Sequence, residues 1–275
     1  ITGPNPFLVI LGLLMIFHGG IKALIQTDLK VLLAYSTISQ LGFIAIGIGS
    51  GSTYGIIGAV FHIVAHSLAK TNLFINSGFL EKEYQSRTIY DMKKIWKRKP
   101  VSALTVIVSL LSLMGTFFLT GYHSKHFIKY GFKGIDYLKI LLHGASILTI
   151  LYSLRLIWWL WLKNIFAQNK KEGEIKNRNF SPGEYGYSAI LFLSFALIFT
   201  GIVPDFVYSR FFVEEINFHF LDGFISYIIY LIIAISILWK FDWIKTEKKA
   251  APELDDIFKN INNFLYKISG KFLEY

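Results

Sequence analysis

The 275-residue sequence predicts an all-α polytopic membrane protein of about seven transmembrane helices, one discontinuous, with a C-terminal amphipathic helix. Three observations predict this class. Mean hydropathy is +0.49 with 53% hydrophobic residues, and several apolar runs are long enough to cross about 30 Å of hydrocarbon. The formal net charge of +10 is concentrated between those runs. Such a charge also suits nucleic acid, but in a membrane protein basic loops mark the cytoplasmic or matrix side. The few histidines and charges inside the runs fall at helical spacing, which groups them on helix faces.

The spans are expected at 6–26, 30–49, 54–80, 101–120, 135–162, 186–204 and 221–240. The chain starts at Ile1 rather than Met, which suggests a fragment, a processed chain or an unusual start codon. The first span lacks a basic n-region and is followed by more spans, so it is not expected to be a cleaved signal peptide. It holds His18 and Lys22 at i and i+4, with Lys22 able to snorkel. The turn after it contains Asp28 and Lys30. Asp28 is placed to offset Lys30 and to cap the next helix. A capped turn explains this pair as well as ion handling does.

The second span carries hydroxyls and Gln40 but no charge. Such groups bond neighbouring helices or hold water. The third span carries His62, His66 and Lys70 at i, i+4 and i+8, in a stretch without an acidic residue. As a helix it lines them on one face, about 6 Å of rise apart. A charge in mid-membrane costs roughly 2.5–3.5 kcal/mol, so three such groups in register read as functional. Burial disfavours the charged form of Lys and His, and a lysine exchanging its proton near neutral pH suits a pump. The plainer reading makes the histidines interhelical hydrogen-bond partners.

The fourth span runs into Gly115 and Gly121, either of which can interrupt a helix, and then Lys125 between His123 and His126. Broken helices at membrane depth line water or lie buried in protein. From chemistry alone Lys125 is an interfacial basic cluster or the exit of an ion path. The fifth span starts with Asp136 and contains His143, which can extend a relay. Trp158, Trp159 and Trp161 read as an interface belt, with Arg155 one turn inside it and snorkelling. Spans six and seven have uncharged cores and read as scaffold. Residues 1–240 therefore form the transmembrane domain. Residues 241–275 form an amphipathic tail, with Leu254, Ile257, Phe258 and Ile261 at helical spacing.

Loops 81–100 and 163–184 are basic, loop 50–53 is uncharged, and loop 205–220 has one Arg against Asp205, Glu214 and Glu215. With seven spans the basic loops and the tail share one side. That orients the N-terminus outside and the C-terminus in matrix or cytoplasm. Zero cysteines exclude disulfides and Fe–S ligation. There is no HExxH, P-loop or nucleophile with a base, so neither cofactor nor metal is expected. Whatever enzyme the chain belongs to, it does no redox chemistry itself.

At these residues the sequence resembles the antiporter-like membrane subunits shared by respiratory complex I, Mrp antiporters and membrane-bound hydrogenases. The carrying strings are ALIQTDLKVLLAYSTISQLGF at 23–43, FHIVAHSLAKTNLFINSG at 61–78, GYHSK at 121–125 and TILYSLRL at 149–156. The last is similar to the chain 5 type of complex I subunit (NADH dehydrogenase subunit 5). The resemblance implies a fold of two inverted five-helix repeats, of which this chain would supply the second half. It implies that Lys70, His66 and His62 belong to a central hydrophilic axis and Lys125 to the broken helix. It also implies the other membrane-arm subunits, lipids and a separate polypeptide carrying the N-terminal half as partners. The proline that often accompanies that helix break is replaced by Thr116-Phe117-Phe118.

The expected function is a proton-translocating membrane-arm subunit of a redox-driven respiratory complex, with complex I the first choice. Its location would be an energy-transducing inner membrane, with the mitochondrial one slightly favoured over a bacterial or archaeal plasma membrane. Protons would pass along His62, His66 and Lys70 toward Lys125, with His143, Lys22, His18, Asp28 and Lys30 as further candidates. The alternatives are a scaffold remnant without flux, or a subunit of an Mrp-type antiporter or membrane-bound hydrogenase.

Overall fold

A computed structural model describes residues 3–92, 95–162, 183–202 and 220–240. The tail at 241–275 and most of loops 163–184 and 205–220 lie outside the described residues. The described chain is helical. In order come α1 (Pro6–Ile25), α2 (Leu29–Gly49), α3 (Thr53–Tyr84), the short α4 (Ile95–Arg98), α5 (Pro100–Met114) and α6 (Thr120–Tyr130). α7 (Asp136–Ile157) runs into a π turn at Trp158–Leu162, and α8 (Glu184–Ile202) and α9 (Phe220–Lys240) complete the described part. Six helices are long and apolar enough to cross a membrane, and α5 is a shorter apolar one. The protein is an all-α polytopic membrane protein.

Local chemistry sets the helix ends. Pro6 opens α1, where its missing N–H is no loss, and Asn5 caps it by accepting from the Phe7 and Leu8 amides at 3.1 and 3.3 Å. Asp28 caps α2 in the same way, accepting from Lys30 N at 2.8 Å and Val31 N at 3.1 Å. Its capping role is as expected from the sequence, but its pairing with Lys30 is not. Lys30 Nζ instead reaches Glu81 at 2.5 Å, and Glu81 also holds Arg87 at 2.6 Å. An aspartate already committed to two backbone amides leaves its lysine to cross to α3.

α1 and α2 pack closely because glycines face each other. A Cβ on Gly12 would sit 2.7 Å from the Gly42 carbonyl, and one on Gly42 would sit 2.5 Å from the Gly12 carbonyl. Without a hydrophobic drive between helices in lipid, such close backbone contact is what holds a pair together. The turn between them is pinned to the loop after α3. Leu29 N donates to Arg87 O at 2.9 Å and Ile89 N to Thr27 O at 3.0 Å, an antiparallel bridge outside any sheet.

Arg155 completes that junction, and here the structure corrects the sequence reading. It is 4% exposed and does not snorkel. Its guanidinium donates to the Gln26 carbonyl at 2.7 Å and to the Tyr90 hydroxyl at 3.0 Å. Trp159 and Trp161 are likewise buried rather than arrayed in an outer belt. The π turn carries them inward, where Trp159 meets Tyr90 edge-on at 4.3 Å between ring centres. They join Leu32, Leu73, Leu80, Leu110 and Leu156 in the main core cluster.

The discontinuous span is α5 plus α6, not a helix over 101–120. α5 stops at Gly115, whose φ of 79° is the left-handed conformation that glycine adopts without strain. Gly115 N and Thr116 N turn back to Ser112 O and Leu111 O, both at 3.0 Å. A short connection then leads into α6, which packs against the first half of α3 across Gly58.

Candidate functional site

The third helix presents His62, His66 and Lys70 as its spacing requires, and all are buried. What surrounds them comes from other helices. Ser36 and Gln40 of α2, one turn apart, face Lys70 and His62 respectively. Lys70 Nζ donates to the Leu33 carbonyl at 3.0 Å and to the Ser36 hydroxyl. Ser36 in turn donates to the same carbonyl at 2.9 Å. A buried ammonium without such partners would be prohibitively costly.

His62 is held on both ring nitrogens. Nε2 lies 3.1 Å from Gln40 Oε1 and Nδ1 lies 2.9 Å from the Ser124 hydroxyl. Gln40 also donates to Tyr152 Oη at 2.8 Å and to Thr149 Oγ1 at 3.3 Å, both on α7. Three helices therefore meet on one imidazole, and Gln40 ties it to a fourth, α7. With Gln40 Oε1 accepting, Nε2 carries the proton in the neutral ring and Nδ1 accepts from Ser124. Between His62 and Lys70 stands His66, whose Nε2 has no hydrogen-bond partner among the described residues.

Lys125 follows Ser124 and is 3% exposed. The helix break explains its place. Ending α5 at Met114 frees carbonyls that a continuing helix would have used, and Lys125 Nζ donates to one of them, Leu113 O, at 2.7 Å. The ammonium also lies 4.7 Å from the centre of the Phe43 ring. Gly115 and Gly121 flank it, and a Cβ on Gly121 would overlap the Ser112 carbonyl.

Beyond Lys125 a cavity of about 210 Å³ opens, lined by His126, Lys129, Lys139, His143 and Tyr230 among others. His143 Nδ1 bonds the Tyr230 hydroxyl, and Lys129 Nζ lies 5.0 Å from that ring's centre. His143 is thus brought to the far side of Lys125 rather than onto the His62 line. Other candidates are not brought in. His18 is exposed on α1, its ring 6.3 Å from Tyr35, and Lys22 is half-buried one turn on. Asp28 and Lys30 serve the turn described above.

Sequence reasoning passed over Ser36, Ser124, Lys129, Tyr152 and Tyr230. A signal existed for two of them: Ser36 and Gln40 are spaced i and i+4, as are Lys125 and Lys129. The tyrosines of α7 and α9 had none, since nothing in a scaffold-like apolar helix says which face meets a lysine. Among the described residues no three His, Asp or Glu side chains converge to hold a metal. Chemically the arrangement offers alternating proton donors and acceptors at membrane depth, with lysines at both ends.

Residues 4–150 match the family described as "NADH:quinone oxidoreductase/Mrp antiporter, TM". The chain is 26% identical over 204 residues to NADH-quinone oxidoreductase subunit L of Rickettsia felis, covering 74% of this chain and 30% of that protein. It is 29% identical over 203 residues to a probable K(+)/H(+) antiporter subunit of Rhizobium meliloti, covering 70% of this chain and 19% of that one. Among solved structures it superimposes on a chain of respiratory complex I from Thermus thermophilus with a TM-score of 0.64 at 21% identity. That match covers 84% of this chain and 44% of the other. The chain thus spans less than half the length of each of these relatives.

Proposed function

We propose, from the premise that this chain belongs to the NADH:quinone oxidoreductase/Mrp antiporter membrane family, that it is a proton-translocating membrane-arm subunit of a redox-driven respiratory complex. The finer assignment is complex I of the chain 5 type, with His62, His66, Lys70 and Lys125 as the relay. One observation carries it: Gln40, His62 and Ser124 form a hydrogen-bonded link from α2 through α3 to α6, ending one residue from Lys125. Protons enter this line at Lys70 and leave through Lys125 to the cavity beside Lys129 and His143. Redox energy arrives from other subunits, and a separate polypeptide supplies the N-terminal half of the fold. The membrane is an inner or plasma membrane, with the N-terminus outside and the mitochondrial one slightly favoured.

The similarity to a K(+)/H(+) antiporter subunit over 70% of the chain favours one second reading, a component of an Mrp-type antiporter. Both readings share the relay. The test is proton translocation by the assembled complex in proteoliposomes. Lys70→Ala and Lys125→Ala should leave assembly intact and lower the protons moved per electron. An unchanged ratio for both would refute the relay, and translocation without any electron donor would select the antiporter.

A further inference from the structure

α3 and α5 share a second polar seam that the His62–Lys70 line does not use. On α5, Ser102, Thr105, Ser109 and Ser112 recur every three or four residues, so they share one face. All are buried, and about 15 Å of rise separates the first from the last. Asn72 and Asn76 of α3 meet that face with no exposure. Asn76 Nδ2 donates to Thr105 Oγ1 at 3.2 Å and to Asn72 Oδ1 at 2.8 Å. Asn72 Nδ2 donates to Ser194 Oγ of α8 at 2.8 Å.

The seam is not fully self-satisfied. Asn76 Oδ1, Ser102 Oγ and Ser112 Oγ are buried and have no hydrogen-bond partner among the described residues. Buried polar atoms of this kind are the usual seats of ordered water. Both ends of the seam carry a titratable group. At one end is Glu83, seven residues past Asn76 on α3 and 4% exposed. Its carboxylate lies 3.4 Å from the ammonium of Lys99, the residue before α5. At the other end Ser112 lies against Gly121, and the carbonyl of the next residue, Leu113, accepts from Lys125.

Small hydroxyl residues also let helices pack closely. That accounts for Thr105 and Ser109, which bond carbonyls of their own helix at 3.2 and 3.0 Å. It does not account for the amide pair or the unpartnered oxygens.

We propose that this seam between α3, α5 and α8 is a water-filled proton column joining Glu83, at the membrane face where α3 ends, to Lys125 at the helix break. It is separate from the His62–His66–Lys70 line and rests on the proton-translocating reading above. The Glu83 carboxylate takes up a proton from the aqueous face and passes it on to the first water of the column. Each water or hydroxyl along the column accepts one proton and releases another, and the neutral Lys125 amine takes the last. Only O–H and N–H bonds form and break. Asn72 and Asn76 are positioning residues that hold the water.

The test uses the assembled complex in proteoliposomes. Asn76→Leu fills the seam and Glu83→Gln removes its proton acceptor, and each should lower the translocation rate about tenfold, as a modest rise in one barrier does. Asn76→Ser, which keeps a hydroxyl, should retain most of the rate. Where Asn76→Leu does not assemble, Ser112→Ala carries the test, with a lowered rate and an altered solvent deuterium isotope effect. Loss of translocation in Lys125→Ala alongside wild-type rates in Glu83→Gln and in the seam variant overturns the column and leaves the relay standing. Wild-type rates in both Lys125→Ala and Lys70→Ala overturn the relay itself.

Discussion

The Nδ1 of His62 lies 2.9 Å from the Ser124 hydroxyl, which binds the continuous helix α3 to the first turns of the broken helix α6. Ser124 Oγ also lies 3.1 Å from the Gly121 carbonyl, so its single O–H alternates between that oxygen and the ring nitrogen. The hydroxyl therefore ties the histidine to the glycine in the first turn of α6, and any movement of the break is felt at the ring.

Ser124→Ala should expose that dependence. It leaves His62 Nδ1 buried without its partner, at a cost of about 1–3 kcal/mol. The purified complex should unfold at lower temperature and move fewer protons per electron. Wild-type values for both measurements would remove Ser124 from the relay.

Gly121→Ala should be worse than Gly115→Ala. The added methyl at 121 meets backbone of α5, which cannot turn aside, so overpacking of about 1–3 kcal/mol or more is expected. At 115 the space is open enough, with Lys125 Cδ 3.4 Å away, but φ is positive. Leaving glycine there costs on the order of 1 kcal/mol. Blue-native electrophoresis of membranes from each variant reports the order of assembly loss.

Arg155→Met should lower stability and leave the proton ratio alone. It removes two hydrogen bonds that join α7 to the α1–α2 turn and to Tyr90, and it leaves the Gln26 carbonyl without this donor. Hydrogen bonds to a charged group are worth about 1.5–3 kcal/mol each. Arg155→Lys should recover little, because a single ammonium cannot reproduce the planar fork. Thermal unfolding together with the proton-to-electron ratio separates this bracing role from a part in the relay.

Tyr230→Phe should act at the cavity. The ring stays over Lys129, while the hydroxyl that bonds His143 is lost. The expected outcome is intact assembly with a translocation rate reduced by about tenfold or less, the effect of roughly 1 kcal/mol on one step. An unaltered rate would make the His143–Tyr230 pair structural only.

Much of this is legible in the sequence. The spans follow from run length, and the break at Gly115 from the residue type that tolerates a left-handed end. Asp28 as a cap follows from its place before an apolar run. The departures share one cause. Sequence rules send Arg155 and the tryptophans near it to the membrane surface, because long amphipathic side chains usually reach it. A carbonyl and a tyrosine hydroxyl from segments 129 and 65 residues away satisfy the guanidinium inside instead. His18 and Lys22 have the same i, i+4 spacing as His62 and His66, yet α1 turns that face away from them.

The sequence alone determined the long apolar helices among the described residues, that one span breaks, and that His62, His66 and Lys70 share a face. Helical period and the cost of unpaired polar groups in lipid are local rules and need no partner. Only the tertiary structure decided that Gln40 and Ser124 clasp His62, that Lys125 fills the carbonyl left by the break, and that Asn76 meets Thr105. Those contacts depend on how helices are rotated against one another. That rotation is set by packing across Gly12, Gly42, Gly58 and Gly121, and no single segment encodes it.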